Sequence, residues 1–293
     1  MIYVVGDLVT DVLVEHSGEI RIGSDTDAAI RVAGGGQAAN TAAWLASTGH
    51  AVTLVAAVGD DRAGQDRVAE LEAAGVRCAV RVLPGVATGS VVVLIGAGER
   101  TMITDRGASL LLDPGHVTAA ITTAPAGSHL HLSGYPLLHA GSRPAGLAAL
   151  AAASAKELTV SVDAASTGPL RDAGAEVFLD WVRGTDVLLC NADEAGVLAG
   201  PGSAADQAVR LTAHVRHAVV KQGAAGAVWA GRDGVVRSVA ARAVPLKDPT
   251  GAGDAFAAGL LTAWCSGAGP QAALDAGSAL GAAAVSRIGA RPA

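Results

Sequence analysis

Apolar positions along this chain fall into two alternating periods. Short continuous apolar runs at 2–5, 52–58, 76–82, 129–132, 159–162, 186–190 and 217–220 predict buried strands. Between them, apolar residues recur at helical spacing over 37–47, 62–74, 141–156, 173–183 and 203–214, with a weaker helical stretch from 115. Helices at 254–265 and 270–287 close the chain. Repeated strand–helix units predict an α/β fold: a doubly wound, mostly parallel sheet flanked by helices. Two places break the rhythm. Short β-like runs lie at 12–15 and 28–32, and 90–95 and 100–104 flank Gly96-Ala97-Gly98-Glu99 as a hairpin. Together they predict a small accessory β-sheet. A further hairpin, 227–230 with 235–239, precedes the last two helices.

Ligands of doubly wound sheets sit at the carboxyl ends of the strands. Asp7, Ser133, Asp163, Asn191 and Lys221 stand at those ends.

With 293 residues, 51% apolar and 16% charged, the chain can bury a large core, and it reads as one domain over 1–293. Aromatics are only 3%, so Ala, Val and Leu must build that core. A formal net charge of -6 argues against nucleic-acid and anionic-membrane partners. Cys78, Cys190 and Cys265 are far apart and form neither a metal spacing nor a disulfide framework, which predicts a reducing cytoplasm. The uncharged stretch 255–274 tempts a membrane reading, but Gly267, Gly269 and Pro270 split it into a buried helix pair.

The stretch richest in chemistry is Asp248-Pro249-Thr250-Gly251-Ala252-Gly253-Asp254-Ala255-Phe256. Two glycines before an apolar run read as a tight loop entering a helix. Such a junction leaves N–H groups and the positive end of the helix dipole facing one point, an anion site. Asp254 stands at its mouth and reads either as an N-cap or as a base taking a proton from an attacking hydroxyl. The dipole should favour its ionised form, so its value is expected to lie in placement rather than in a raised pKa.

Other stretches are weaker alone. Gly34-Gly35-Gly36-Gln37-Ala38-Ala39 fits the dinucleotide fingerprint, or else lets the backbone approach a polyhydroxyl ligand that Asn40 hydrogen-bonds. Asp11 is a turn residue or a matching hydroxyl acceptor. Lys221-Gln222-Gly223-Ala224-Ala225-Gly226 suits either a nucleotide edge or a plain hairpin connection. Asn191 and Glu194, three apart, could orient Mg²⁺-bound water or form a helix capping box. The histidines, among them the alternating pair His129 and His131, offer no convincing site.

Taken in order, these stretches resemble the ribokinase/PfkB family of carbohydrate kinases. The resemblance spans nearly the whole chain and adds Gly59-Asp60-Asp61 with Gly64, and the tail 282–290. It implies a ribokinase-like fold with a small β lid, formed by about 11–33 and 88–106, that covers the sugar and forms a homodimer interface. It implies ATP and Mg²⁺ as cofactors. By the same likeness Asp254 is the catalytic base, with Gly251, Ala252 and Gly253 as the anion hole. Asp11, Gly35, Gly36 and Asn40 hold the substrate. Asn191, Lys221, Gly223 and Gly226 lie along ATP, and Asn191 and Glu194 act on Mg²⁺ through water. Some members use a monovalent cation, which Asp248 and the carbonyls of 284–289 would hold as K⁺.

The expected reaction is ATP-dependent phosphorylation of a hydroxymethyl group on a small sugar or nucleoside. A nucleoside kinase of pseudouridine or adenosine type stays open beside a sugar kinase. So does a sugar-phosphate kinase, for which Arg100 and Arg106 on the hairpin would supply cationic groups if they are not simply solvated. A sugar or nucleotide sensor and an NAD-dependent oxidoreductase are the contrasting classes.

Overall fold

Nine strands form one sheet in the order β13-β12-β11-β10-β9-β8-β1-β4-β5, and four more form a separate sheet in the order β3-β2-β6-β7. The structure is a computed structural model that describes residues 1–96 and 99–292, with backbone alone at Glu99 and Arg100. In chain order the strands and helices are β1 (Ile2–Val5), β2 (Val9–His16), β3 (Ala28–Gly35), α1 (Gln37–Ser47), β4 (Val52–Gly59), α2 (Arg62–Ala73), β5 (Arg77–Leu83), β6 (Thr88–Gly96), β7 (Glu99–Gly107), α3 (Pro114–Thr122), β8 (His129–Ser133), α4 (Tyr135–Leu138), α5 (Arg143–Ala155), β9 (Thr159–Asp163), α6 (Thr167–Ala173), α7 (Ala175–Trp181), β10 (Val187–Asn191), α8 (Ala192–Ala199), α9 (Ala204–Leu211), β11 (His217–Lys221), β12 (Ala227–Gly231), β13 (Val236–Val239), α10 (Ala252–Cys265) and α11 (Pro270–Val285).

The large sheet is parallel from β5 to β11; β12 pairs antiparallel with both β11 and β13, so β12 alone runs against the rest. Strand order reverses at β1: the chain moves outward to β4 and β5, then restarts on the other side at β8. Crevices at such reversals lie beyond the carboxyl ends of the strands, here at Asp7 and Ser133.

Both faces of the sheet are covered. One apolar layer contains Val117, Ile121, Ala149, Phe178, Leu198 and Ala208. The other holds α1, α10 and α11 through Ala42, Trp44, Ala258, Leu261 and Leu274. Small residues set the spacing of the last helix pair. A side chain at Gly259 would meet the Ala276 carbonyl, and one at Gly277 would meet Phe256. The alanine–glycine composition is thus a close-packed helix interface, in which dispersion contacts replace aromatic bulk. The uncharged 255–274 stretch is this α10–α11 pair, and among the described residues no helix is long and apolar enough to cross a membrane.

Most predicted elements stand within a few residues of their expected bounds. The helix expected over 173–183 is α7, and an unexpected helix, α6, precedes it, separated from it by Gly174 at φ 89°. Helix α8, following Asn191, was expected only conditionally.

The four predicted accessory strands do form the small sheet. It is mixed: β2 is antiparallel to β3 and parallel to β6, and β6 is antiparallel to β7. Part of the turn predicted between β6 and β7 lies outside the described residues.

Candidate active site

A cleft of about 920 Å³ opens between the carboxyl edge of the large sheet and the inner face of the small one. Its wall includes Asp11, Gly36 and Asn40 from the region of the small sheet, and Asn191, Glu194, Lys221, Gly223 and Gly226 from the far strands. Gly251, Ala252, Gly253 and Asp254 also line it. Gly35 and Asp248 stand behind the wall, and the Arg100 side chain lies outside the described residues.

Each glycine of the triplet 34–36 has its own reason. A Cβ on Gly34 would strike the Arg291 guanidinium, and one on Gly35 would strike the Asp11 carboxylate. Gly36 sits at φ 100°, a conformation that disfavours any side chain, and a Cβ there would strike the Asp7 carbonyl. The dinucleotide fingerprint is therefore a coincidence of spacing. β3, which precedes it, is an antiparallel strand of the small sheet and opens no βαβ unit.

Asp254 lies in the first turn of α10. The N-cap is Gly251, left-handed at φ 74°, and no side chain caps the helix. Ala252 N donates to the Pro249 carbonyl at 3.3 Å, which leaves the N–H groups of Gly253 and Asp254 for an anion. Asn40 Nδ2 donates to Asp254 Oδ2 at 3.0 Å. Against expectation, the Asp254 pKa is raised, to about 8. Burial is the main cause, the Asn40 bond opposes it, and Asp163 adds repulsion. Desolvation outweighs the helix dipole because this carboxyl lies at the bottom of the cleft, surrounded largely by protein atoms. Asp11 rises to about 6, again chiefly through burial, with Arg291 opposing.

Lys221 does not extend freely along the cleft. Its Nζ donates to Asp163 Oδ2 at 2.6 Å, and it lies 3.5 Å from where a Cβ of Gly253 would stand. Burial disfavours the ammonium, but Asp163 and Glu194 override this and hold the Lys221 pKa above its usual value. Asp163 Oδ1 accepts from Gln37 Nε2 at 2.9 Å, and Gln37 Oε1 accepts from Ser133 Oγ at 2.6 Å. Gly223 and Gly226 take φ 56° and 95°, and a side chain at Gly226 would hit the Val239 carbonyl.

Asn191 and Glu194 form the capping box. Asn191 Oδ1 accepts from Glu194 N at 2.9 Å, and the Glu194 carboxylate accepts from Asn191 N at 2.8 Å and Nδ2 at 2.6 Å. Each carboxylate oxygen already accepts one hydrogen bond, which suits a contact with Mg²⁺ through bridging water. Burial, then Asp163, push the Glu194 pKa to about 7. Among the described residues no group of three or more His, Cys, Asp or Glu is arranged to hold a metal. This donor set fits a cation that arrives with phosphate oxygens and keeps its water.

Asp248 ties loops together. Its carboxylate accepts from Thr250 N at 2.8 Å and Gly289 N at 3.0 Å.

From sequence, Tyr135 and Arg291 carry no role, Asp7 has only its strand-end position, and Arg106 stands between a substrate cation and a solvated charge. Asp7 Oδ2 accepts from Arg106 Nη1 at 3.2 Å, with the two side chains only 4% and 11% exposed. The Arg106 guanidinium lies 3.6 Å from the centre of the Tyr135 ring. Arg106 is therefore a buried wall residue, not a solvated hairpin charge. Its position in the register of β7, one full alternation inward from Thr104, was the available signal. Arg291 Nε donates to Asn40 Oδ1 at 3.1 Å, a contact across 251 positions that no local pattern carries. His129 and His131 are buried under the sheet on Ser161 Oγ, at 2.7 and 2.8 Å, away from the cleft wall.

Comparison with known proteins bears on this arrangement. A family model described as pfkB family carbohydrate kinase matches residues 1–293. An ATP-dependent ribose-1-phosphate kinase of Halopiger xanaduensis is 31% identical over 98% of this chain and 90% of its own. The structure of adenosine kinase from Sinorhizobium meliloti superposes with a TM-score of 0.88 at 24% identity, covering 99% of this chain and 95% of that one. A ribokinase II candidate from E. coli, in complex with ATP and Mg²⁺, gives a TM-score of 0.83 at 24% identity, over 99% and 94%.

Proposed function

Since the chain belongs to the pfkB family of carbohydrate kinases, and so is an ATP-dependent kinase of a sugar or nucleoside that works with Mg²⁺, we propose that it phosphorylates a hydroxymethyl group with Asp254 as general base. The observation that carries this reading is the Asn40–Asp254 bond beside the uncapped, left-handed start of α10. Asp11, Asn40 and the Gly36 backbone hold the substrate hydroxyls, with Gly35 behind Asp11. Asp254 takes the proton of the attacking hydroxyl as its oxygen bonds to the γ-phosphorus and the bond to the leaving ADP oxygen breaks. The N–H groups of Gly253 and Asp254 receive the charge on the transferring phosphoryl group. Lys221 and the 223–226 backbone align the nucleotide. Asn191 and Glu194 would hold Mg²⁺ through water, and the ion would supply charge neutralisation to the phosphates.

Asp254→Asn tests the base. Turnover should fall by about 10²–10⁴-fold while ATP still binds. A variant as fast as the parent would end the assignment.

A sugar-phosphate substrate is the second reading. It is favoured by buried Arg106 on the cleft wall and by the ribose-1-phosphate kinase relative. ADP release measured over ribose, ribose-1-phosphate, adenosine and hexose phosphates separates the two, with an Arg106-dependent KM marking the phosphorylated substrate.

We read the small sheet, over about 11–33 and 88–106, as a lid of a single 1–293 domain. It excludes water from the reaction and pairs two copies. Register puts Val12, Val14, Ile30, Val32, Val92, Leu94 and Ile103 on the face opposite Asp11 and Val91. Ile30, Val32 and Ile103 are each more than half exposed, an apolar surface that suits self-association.

A further inference from the structure

The segment after α11 returns to the cleft and inserts between its two glycine loops. Trp44 Nε1 donates to the Ala290 carbonyl at 2.9 Å, and a side chain at Gly251 would strike that same carbonyl. Arg291 is the residue this segment delivers. Its Nη2 donates to the Gly35 carbonyl at 2.9 Å, its Nη1 to Glu70 Oε2 at 3.3 Å, and its Nε to Asn40 Oδ1 at 3.1 Å. Glu70 is held in turn by Arg67, whose Nε donates to it at 2.9 Å. Gly34 lacks a side chain where the Arg291 guanidinium passes.

A guanidinium donates and never accepts. Whichever end of the Asn40 amide meets Arg291 must therefore be its oxygen, and the other end, which faces Asp254, must be its NH₂. Without Arg291, among the described residues only Asp254 bears on the choice between the two amide orientations: its ionised carboxylate still takes the NH₂, but its protonated form, which burial favours, can donate to the flipped oxygen. The flipped amide would set the Asn40 oxygen against the ionised Asp254 carboxylate.

We propose that Arg291 is a positioning residue for catalysis: by fixing the Asn40 amide, it keeps an N–H donor on Asp254 and so holds the base ionisable and correctly aimed. The proposal rests on the reading of Asp254 as general base. Arg291 makes no contact with the reacting atoms.

The groups around Asp254 are Asp7 beyond β1, Asp163 at the end of β9, Lys221 at the end of β11 and Asn40 on α1. Those around Arg291 are Glu70 and Arg67 on α2, Asp11 on β2 and Cys78 on β5. Removing Arg291 leaves the first set in place except for the orientation of Asn40. The Asn40 bond lowers the Asp254 pKa, so its loss must move the acid limb of activity to higher pH.

The test compares Arg291→Ala, Arg291→Lys and Asp254→Asn in the full chain, following kcat, both KM values and the pH profile of kcat/KM. Arg291→Ala should lose about tenfold in kcat and shift the acid limb upward by about half a unit or more. KM for ATP should hold. Added guanidinium ion should restore both rate and limb. Lysine keeps the charge but is a point donor that cannot serve Asn40, Gly35 and Glu70 together, so Arg291→Lys should stay shifted. It also carries the test if the alanine variant fails to fold.

An unmoved acid limb in Arg291→Ala or Arg291→Lys, or a rate loss that guanidinium does not restore, overturns the positioning role even with Asp254→Asn inactive. An active Asp254→Asn overturns the base reading itself, and this proposal with it.

Discussion

Lys221 and Asp163 meet at 2.6 Å across the end of β10, joining the tips of β11 and β9 beneath the start of α10. Their side chains are 13% and 4% exposed. The pair fixes a positive charge beside Gly253 and carries Gln37 on the other carboxylate oxygen. Breaking one side leaves the other buried and uncompensated. Lys221→Met should cost about 3–5 kcal/mol of stability, read as a lower urea midpoint, and raise KM for ATP. Adding Asp163→Asn should return part of the stability and none of the activity.

Activity should depend on pH through Asp254. Burial raises its pKa to about 8, so the free protein holds it mostly protonated at neutral pH. The kcat/KM profile, which reports the free protein, should climb between about pH 7 and 8 and level above that. The stability sign is opposite. The folded state binds this proton more tightly than the unfolded chain, so the contribution is present below the ordinary carboxylate range and lost as pH rises through about 8. Asp254→Asn should therefore melt higher than the parent at alkaline pH, measured calorimetrically, while being inactive.

Gly35→Ala should strike the site without melting the fold. Its added carbon meets the Asp11 carboxylate, a side chain that can swing away. The expected outcome is a raised KM for the phosphoryl acceptor, an unchanged KM for ATP, and a melting temperature within a few degrees of the parent. Gly251→Ala is different, because a left-handed φ of 74° and a clash with the Ala290 backbone coincide there. It should lose both stability and kcat, by about 1–3 kcal/mol in unfolding free energy.

Acid should weaken the fold through two histidines. Burial, reinforced by the neighbouring His131, lowers the His129 pKa to about 3, and burial lowers His131 to about 4. Both titrate near 6.5 when unfolded. Their contribution is full above that value and is lost as pH falls toward the folded pKa values, because the unfolded chain then takes up more protons. Unfolding free energy from urea curves should decline from pH 7 to 5, on the order of a few kcal/mol. His129→Gln should flatten the slope.

Charge on the outer face of the small sheet should prevent pairing of two copies. Ile30 and Val32 stand on the exposed face of β3 beside Val14 and Val12. The double substitution Ile30→Glu and Val32→Glu should give a monomer by light scattering where the parent is a dimer. A monomeric parent would remove the pairing.

Local chemistry, read from sequence, determined much of this protein. Strand and helix periods, the glycine loops, the helix start at Gly251 and the polar ends of β1, β8, β9, β10 and β11 are all properties of neighbouring residues, and neighbouring residues predict them. That is why Asp254, Asn40, Lys221 and the 251–253 backbone line a common cleft as expected. The capping box of Asn191 and Glu194 was legible for the same reason, though its metal alternative was equally so.

Tertiary structure decided the rest. The raised pKa of Asp254 depends on burial among Asp7, Asp163 and Lys221, which come from three distant strands, and no local dipole argument weighs that desolvation. Arg106 became a wall residue because β7 turns it onto Asp7 and Tyr135. Arg291 reached Asn40 only because the chain after α11 folds back across the whole domain. Spacing along a chain reports which residues share a turn or a face. Burial and long-range pairing arise only when separate elements pack, and they set the charge state of the base on which the chemistry depends.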